Sequence, residues 1–188
     1  MTMLPPRPPF WFRLNVVSGN LLQVAGLISG AGLIGAASSE SLATALRVLL
    51  LLTGWLIVYL SCHAVGHWLI GRLVGIRFRG YGVRGTDQPF AYPPPMRPVM
   101  RRLPLLTILT DKASLARVSP IRQALMFAAG ELSSTLISVA AAVYAWRQAI
   151  PGSGLLLIAV LVWSAAALLA SVLTPRGDFA KARRALRR

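Results

Sequence analysis

Four long apolar stretches alternate with polar or basic segments along the chain. A helix needs about 20 residues to cross a hydrocarbon core of about 30 Å, and each stretch reaches that length. They lie near Val16 to Ala37, Val48 to Val74, Ile121 to Trp146 and Gly154 to Thr174. The pattern predicts an all-α membrane protein whose residues 1–188 form a single membrane domain with about four transmembrane helices. A cleaved signal peptide ending near Ala37 is less favoured, because the first apolar run exceeds a normal signal core.

The polar segment between the second and third spans predicts a loop over residues 77–120. It contains three consecutive prolines, Pro93 to Pro95, and several glycines, which oppose a continuous helix. Weak alternation over Phe78 to Val83 predicts a short strand or hairpin within an otherwise irregular loop. Ser119 followed by Pro120 is typical of an N-cap and first position, so we expect the third span to begin there.

Charge placement predicts the orientation of the spans. The chain carries 20 Lys and Arg against five acids, a net charge of +15, with 55% hydrophobic residues. Only Arg47 and Arg147 fall in the two short connections that follow the first and third predicted spans. The other 18 basic residues lie on the opposite side of the predicted bundle. The positive-inside rule places that side in the cytoplasm, including both termini and the 175–188 tail. We expect a multi-pass protein of the plasma or inner membrane, with lipid rather than nucleic acid as partner.

Small residues on the first span predict close helix packing. Gly26 and Gly30, and then Ala31 and Gly35, have the four-residue spacing that lets helix backbones approach one another. The lone Cys62 lies in an apolar run and is interpreted as a small buried hydrophobe.

Three ionisable residues fall inside the spans, where they are costly and usually functional. His63 and His67 lie one turn apart on the second span, with Tyr59 one turn further, and Glu131 lies on the third. His63 and Glu131 are each nine residues from a basic residue at the cytoplasmic end, which places both about 13 Å deep. Asp178 follows the fourth span near the same end. Two imidazoles with one or two carboxylates can form a zinc shell that leaves one position open for water.

Each of these residues also has a simpler interpretation. The two histidines can hydrogen-bond to neighbouring helices without any metal. Asp178 can serve as an N-cap for a following helix. The terminal run from Lys181 to Arg188 is typical of a cytoplasmic anchor that faces anionic lipid.

Beyond spacing, the stretch His63-Ala-Val-Gly-His67-Trp-Leu-Ile-Gly-Arg72-Leu-Val-Gly-Ile-Arg77 resembles the active-site helix of site-2 proteases, the zinc intramembrane metallopeptidases. The run Ser119 to Gly130 resembles that family's next membrane helix, and the segment with Pro175 and Asp178 resembles its later aspartate motif. Together these cover roughly residues 55 to 185. The resemblance implies a zinc site with His63, His67 and Asp178 as ligands.

The chain also departs from the family pattern. Position 64 is Ala where the family has the glutamate that acts as general base on the attacking water. The Gly-Pro-x-x-Asn element appears as Gly130-Glu131-Leu-Ser-Ser134, and the aspartate motif lacks its usual Asn and following Gly. The resemblance therefore implies a divergent metallopeptidase homologue with impaired hydrolysis. Glu131 has the same predicted depth as His63, which makes it a candidate to replace the glutamate that is missing at position 64.

Two other functions compete with this one. A non-catalytic subunit of a larger membrane complex can use one histidine as the axial ligand of a haem or chlorophyll, or use both only for hydrogen bonds. A transporter is less favoured, because the hydropathy shows no inverted repeat. Membrane-embedded peptides and other membrane subunits are the partners that these functions predict.

Overall fold

The computed structural model describes residues 8–86, 89–92 and 94–187. Arg7, Pro93 and Arg188, which enter the sequence predictions, lie outside the described residues. The helices are α1 (Val16–Ala37), α2 (Thr44–Leu73), α3 (Arg97–Arg102), α4 (Lys112–Arg117), α5 (Pro120–Arg147), α6 (Ser153–Leu173) and α7 (Asp178–Leu186). The strands are β1 (Phe12–Leu14), β2 (Phe78–Arg84) and β3 (Leu105–Thr110), and short 3₁₀ turns cover Pro89–Ala91 and Pro94–Met96.

The four predicted spans are confirmed as helices α1, α2, α5 and α6. Each is long and apolar enough to cross a membrane. The chain therefore has the architecture of a multi-pass membrane protein. The largest difference in limits is at the start of α2, which begins at Thr44 rather than Val48. Backbone hydrogen bonding carries this helix one turn beyond its apolar run.

Helices α1 and α2 cross closely at a pair of glycines. A Cβ on Gly30 would lie 2.7 Å from the Gly54 carbonyl oxygen, and a Cβ on Gly54 would lie 2.7 Å from that of Gly30. A Cβ on Gly26 would also collide with Ser61 of α2. The predicted close packing through Gly26 and Gly30 is thus confirmed, whereas Gly35 has open space around it.

The main apolar core joins these four helices at the end of the bundle where α1 stops and α6 starts. Its buried members are Ile34, Ala37, Leu51, Val58, Ala142, Ala145, Ile150, Leu156 and Val160. The opposite end, where α1 and α5 begin and α2 and α6 end, is called the basic end here. His67, Ser171 and Asp178 are buried in the half nearer the basic end, whereas Ser138 and Ser153 are buried in the opposite half.

The predicted strand at Phe78 to Val83 is confirmed as part of β2, but it forms no local hairpin. β2 is the central strand of an antiparallel sheet in the order β1-β2-β3. Its partners lie far away in sequence, with Phe12 opposite Val83 and Ile108 opposite Tyr81. Tyr81 is fully buried against α1 and donates a hydrogen bond to Asn20. The sheet therefore anchors the connection between α2 and α5 to the start of α1.

The two cap predictions have different outcomes. α5 begins at Pro120 with Ser119 at the N-cap, as predicted, although the Ser119 side chain makes no capping hydrogen bond. The N-cap of α7 is Gly177, and Asp178 is the first residue inside the helix. The interpretation of Asp178 as an N-cap is therefore wrong, and its carboxylate is directed elsewhere.

Candidate metal centre

Helix α2 presents both histidines on one face. Their imidazole centroids are 4.9 Å apart and the rings are nearly perpendicular, at 85°. This arrangement follows from the four-residue spacing, which stacks side chains on successive turns. His67 is buried, with 6% of its surface exposed, whereas His63 is half-buried. One helix thus supplies two imidazoles that point toward the same neighbour.

The hydrogen bond at the Nδ1 atom of His67 sets its tautomer. Nδ1 lies 2.7 Å from the carbonyl oxygen of Met126 on α5. A carbonyl oxygen only accepts, so Nδ1 must carry the hydrogen. In the neutral ring Nε2 is then unprotonated, and it lies 3.1 Å from Oδ2 of Asp178. A histidine held in this way has its lone pair ready for a cation.

His63 is held in the same way by a serine. Its Nδ1 lies 3.0 Å from Oγ of Ser134, and that hydroxyl is 3.0 Å from the Gly130 carbonyl oxygen, to which it donates. Because the single hydroxyl hydrogen of Ser134 is used there, Oγ accepts the Nδ1 hydrogen of His63. Nε2 of His63 therefore also offers its lone pair in the neutral ring, 3.2 Å from Oδ2 of Asp178.

Asp178 reaches the histidines through the turn that follows α6. A Cβ on Gly177 would lie 2.1 Å from the Ser171 carbonyl oxygen, so only glycine allows the chain to turn this closely. Oδ1 of Asp178 is 2.6 Å from Nζ of Lys181, which leaves Oδ2 for the imidazoles. Burial raises the pKa of Asp178, but His67, His63 and Lys181 outweigh it and hold that pKa well below its usual range. Asp178 is thus anionic and can serve as a ligand for a cation.

The three side chains form a group that can hold a metal ion. One ligand atom from each of His63, His67 and Asp178 lies within 4.8 Å of the other two. Donors held tetrahedrally at 2.0 to 2.1 Å from zinc lie about 3.3 Å apart, close to the two nitrogen–oxygen distances of 3.1 and 3.2 Å. The predicted ligand set is therefore brought together, from helices α2 and α7.

Electrostatics also favour a cation at this point. Two unprotonated nitrogens and a carboxylate oxygen repel one another unless positive charge lies between them. A proton on one ring, or a single metal ion bound between the three atoms, would supply that charge. A single metal ion satisfies all three lone pairs at once.

Two glycines let α5 approach this face of α2. A Cβ on Gly130 would lie 2.1 Å from Nε2 of His67, and a Cβ on Gly66 would lie 2.1 Å from Oγ of Ser133. The ring of His67 thus fills space that any larger residue at position 130 would occupy. Gly66 and Gly130 both lie in segments that resemble the protease family, and the close packing of α5 on α2 gives a steric reason for both.

Glu131 lies beside the ligand group but outside it. The group of three ligand atoms does not include its carboxylate. Glu131 is close enough to interact electrostatically with both histidines and with Asp178, and the Ser171 side chain lies near its carboxylate. The predicted common depth of His63 and Glu131 is consistent with this. Ala64, by contrast, is 2% exposed, so its position on α2 is closely packed.

An aromatic stack extends from the histidine face of α2 to α6 and the loop. Tyr59, one turn from His63, accepts a hydrogen bond of 2.9 Å from Nε1 of Trp163. Tyr92, from the segment predicted to be a loop, stacks on Trp163 with ring centroids 6.2 Å apart. Trp163 is ten residues from the last residue of α6, which corresponds to about 15 Å. The loop therefore reaches well into the bundle.

The sequence prediction missed three groups that hold the ligands: Ser134, the Met126 carbonyl and Lys181. Ser134 and Met126 contact histidines 71 and 59 positions away, and no local pattern encodes such a pairing. Lys181 stands three residues after Asp178 in a helix. That spacing is a signal from which the ion pair could have been predicted.

No family model, curated protein or solved structure matches this chain.

Replacing Ser134 by Ala is expected to weaken metal binding without abolishing it. The variant removes the acceptor of the His63 Nδ1 hydrogen, and losing such an outer contact typically costs about 10- to 100-fold in affinity. The measurement is zinc affinity by competition with a chromophoric chelator. Ser133→Ala is the matched control, because Ser133 donates to backbone oxygens of Cys62 and Gly130 and contacts neither ring. Equal losses in the two variants would refute this role of Ser134.

Proposed function

We propose that this chain is a site-2-protease-like membrane protein that binds one zinc ion through His63, His67 and Asp178. The observation that carries the proposal is the pair of Nδ1 hydrogen bonds that turn both Nε2 atoms toward one carboxylate oxygen. Two histidines, one carboxylate and an open fourth position form a ligand set typical of catalytic zinc. The resemblance of the His63 to Arg77 stretch to the protease helix supports the same metal.

Hydrolysis of peptide bonds is proposed to be weak, with Glu131 as the remaining base. Ala64 has no proton acceptor, and removing a general base typically costs about 10² to 10⁴ in rate. Zinc would supply Lewis acidity to water at the open position. If the protein cleaves a membrane-embedded peptide, Glu131→Gln is expected to remove that activity while the zinc content stays the same. Cleavage that persists unchanged in Glu131→Gln would refute this role.

The same geometry argues against a haem or chlorophyll ligand. An axial histidine needs an open face beside a planar ring, whereas both Nε2 atoms lie within 3.2 Å of Asp178. A colourless preparation is therefore expected. A visible absorption band would favour the non-catalytic pigment-binding subunit instead.

The orientation proposed for the protein puts the basic end in the cytoplasm, as the positive-inside rule predicts. A fluorescent reporter that folds only in the cytoplasm, fused after the last residue, is expected to fluoresce. A dark fusion produced at normal levels would overturn this orientation.

Metal content is the direct test of the zinc proposal. Purified protein is expected to contain about one zinc per chain by elemental analysis, and the double variant His63→Ala/His67→Ala is expected to contain none. Tyr59→Phe is the matched control on the same helix face, because it removes a hydroxyl without touching the ligands. Absence of stoichiometric zinc in the unaltered protein, or zinc retained in the double variant, would refute the proposal.

A further inference from the structure

Helix α7 joins the candidate metal centre to the surface of the basic end. Its first residue, Asp178, contacts both histidines. Ala182 and Ala185, on the same face as Asp178, are buried and pack beside Ala124 of α5. Ala180, on the opposite side of the first turn, is also buried. The helix is thus docked by small side chains at one face and by the Asp178 contacts at one end.

The outer face of α7 carries unbalanced positive charge. Arg183, Arg184 and Arg187 are exposed, and no acid follows Asp178 in the sequence. Arginines at positions i and i+4 repel one another on a helix surface. The helix has only nine residues, too few to be stable alone in water. Its formation therefore depends on what lies against each of its two faces.

The position of α7 relative to the membrane determines what lies against the outer face. Ala124 and Phe127, to which α7 is packed, belong to the first two turns of α5, at the end where the transmembrane helices α2 and α6 stop. The arginines thus lie near the end of the transmembrane helices, which is where a bilayer places its lipid headgroups. Basic side chains near an anionic lipid surface are stabilised by its negative potential.

From these observations we infer that α7 is a binding site for the phosphate groups of anionic lipids, and that this binding strengthens the metal site by docking Asp178 against His63 and His67. The inference rests on the proposed function and deepens it. Lipid on the outer face relieves the repulsion among the arginines and favours the docked helix. Because coupling between two sites is reciprocal, zinc must strengthen lipid binding by the same factor.

The test is zinc affinity of the full chain in nanodiscs of neutral lipid and of lipid containing one third phosphatidylglycerol. Anionic lipid also concentrates zinc at any membrane surface. The zinc Kd of the unaltered protein is therefore compared with the zinc Kd of the variants in the same lipid. The variant is Arg183→Gln/Arg184→Gln/Arg187→Gln. The matched control, Arg79→Gln/Arg101→Gln/Arg102→Gln, removes the same charge from exposed positions outside α7.

The unaltered protein and the control are expected to gain about tenfold more affinity on anionic lipid than the α7 variant does. Equal gains in all three proteins would overturn the inference while leaving the zinc proposal intact. Sodium sulfate in neutral nanodiscs, at matched ionic strength, separates free anions from a lipid surface. An equal gain with sulfate would show that the site binds free anions and would overturn the assignment to lipid.

Hydrogen exchange measured in the absence of zinc tests the lipid site separately, even if the protein binds no zinc. Amides of residues 178–186 are expected to exchange more slowly in anionic than in neutral nanodiscs, and the α7 variant is expected to lose this difference. Identical exchange in the two lipids would overturn the docking role. Lipid-dependent protection in a protein that binds no zinc would refute the zinc proposal and the coupling to metal, and would leave only the lipid site.

Discussion

Replacing Asp178 by Asn is expected to lower zinc affinity by more than about 100-fold while the helix bundle stays folded. The change keeps the size of the side chain but removes the anionic oxygen that both Nε2 atoms approach, at 3.1 and 3.2 Å. Loss of an outer-shell contact already costs about 10- to 100-fold in comparable sites, so loss of a ligand costs more. The measurement is zinc stoichiometry and Kd, with circular dichroism to verify the helix content.

Glu131→Gln is the matched control for this variant. Glu131 is a second carboxylate at the site, close enough to interact with both histidines, but it is not one of the three converging ligands. The Glu131→Gln variant is expected to retain one zinc per chain. Stoichiometric zinc in Asp178→Asn, or a loss of equal size in Glu131→Gln, would contradict the ligand assignment.

Replacing Gly130 by Ala is expected to abolish the metal site and to destabilise the bundle. The new Cβ would lie 2.1 Å from Nε2 of His67 and 2.5 Å from its Cε1. The ring cannot move aside easily, because Met126 holds Nδ1 and Asp178 lies against Nε2. Overpacking of a filled interior typically costs about 1 to 3 kcal/mol. Zinc content and thermal unfolding of the apoprotein measure the two effects separately.

Gly35→Ala provides the control for the change of residue type. Gly35 also lies within a transmembrane helix, but a Cβ there would meet nothing within 4 Å. Alanine favours helix by up to about 1 kcal/mol over glycine, so this variant is expected to unfold at the same or a higher temperature and to keep its zinc. An unfolding temperature for Gly130→Ala equal to that of Gly35→Ala, with zinc retained, would show that α5 does not pack against His67 as described.

In the function that we propose, metal binding and hydrolysis are separate properties of this site. The ligand geometry depends on α2, α5 and α7, and each of its contacts is present in this chain. A general base at position 64 is absent, and the buried Ala64 leaves little room for a larger side chain. Under that proposal the site is better suited to holding a metal than to rapid turnover, and any remaining activity would depend on Glu131.

Local patterns were enough to predict the spans and the histidine pair. Hydrophobic runs of about 20 residues determine where a chain can cross lipid, because backbone polar groups must be satisfied within the segment itself. The spacing of His63 and His67 determines that they share a helix face, since side chains four residues apart lie on successive turns. Both predictions depend only on near neighbours in sequence, and the structure agrees with both.

Contacts between distant segments were decided only by the tertiary structure. Asp178 looked like an N-cap in isolation, but the turn at Gly177 places its carboxylate against two imidazoles 111 and 115 residues away in sequence. The partners of β2 come from residues 12–14 and 105–110, and Ser134 and Met126 hold the histidines from another helix. These pairings depend on how helices and strands pack, which no local spacing specifies. The sequence by itself determined a four-span membrane protein with costly polar residues inside it. Packing decided that two of those side chains, His63 and His67, converge with Asp178 on one point.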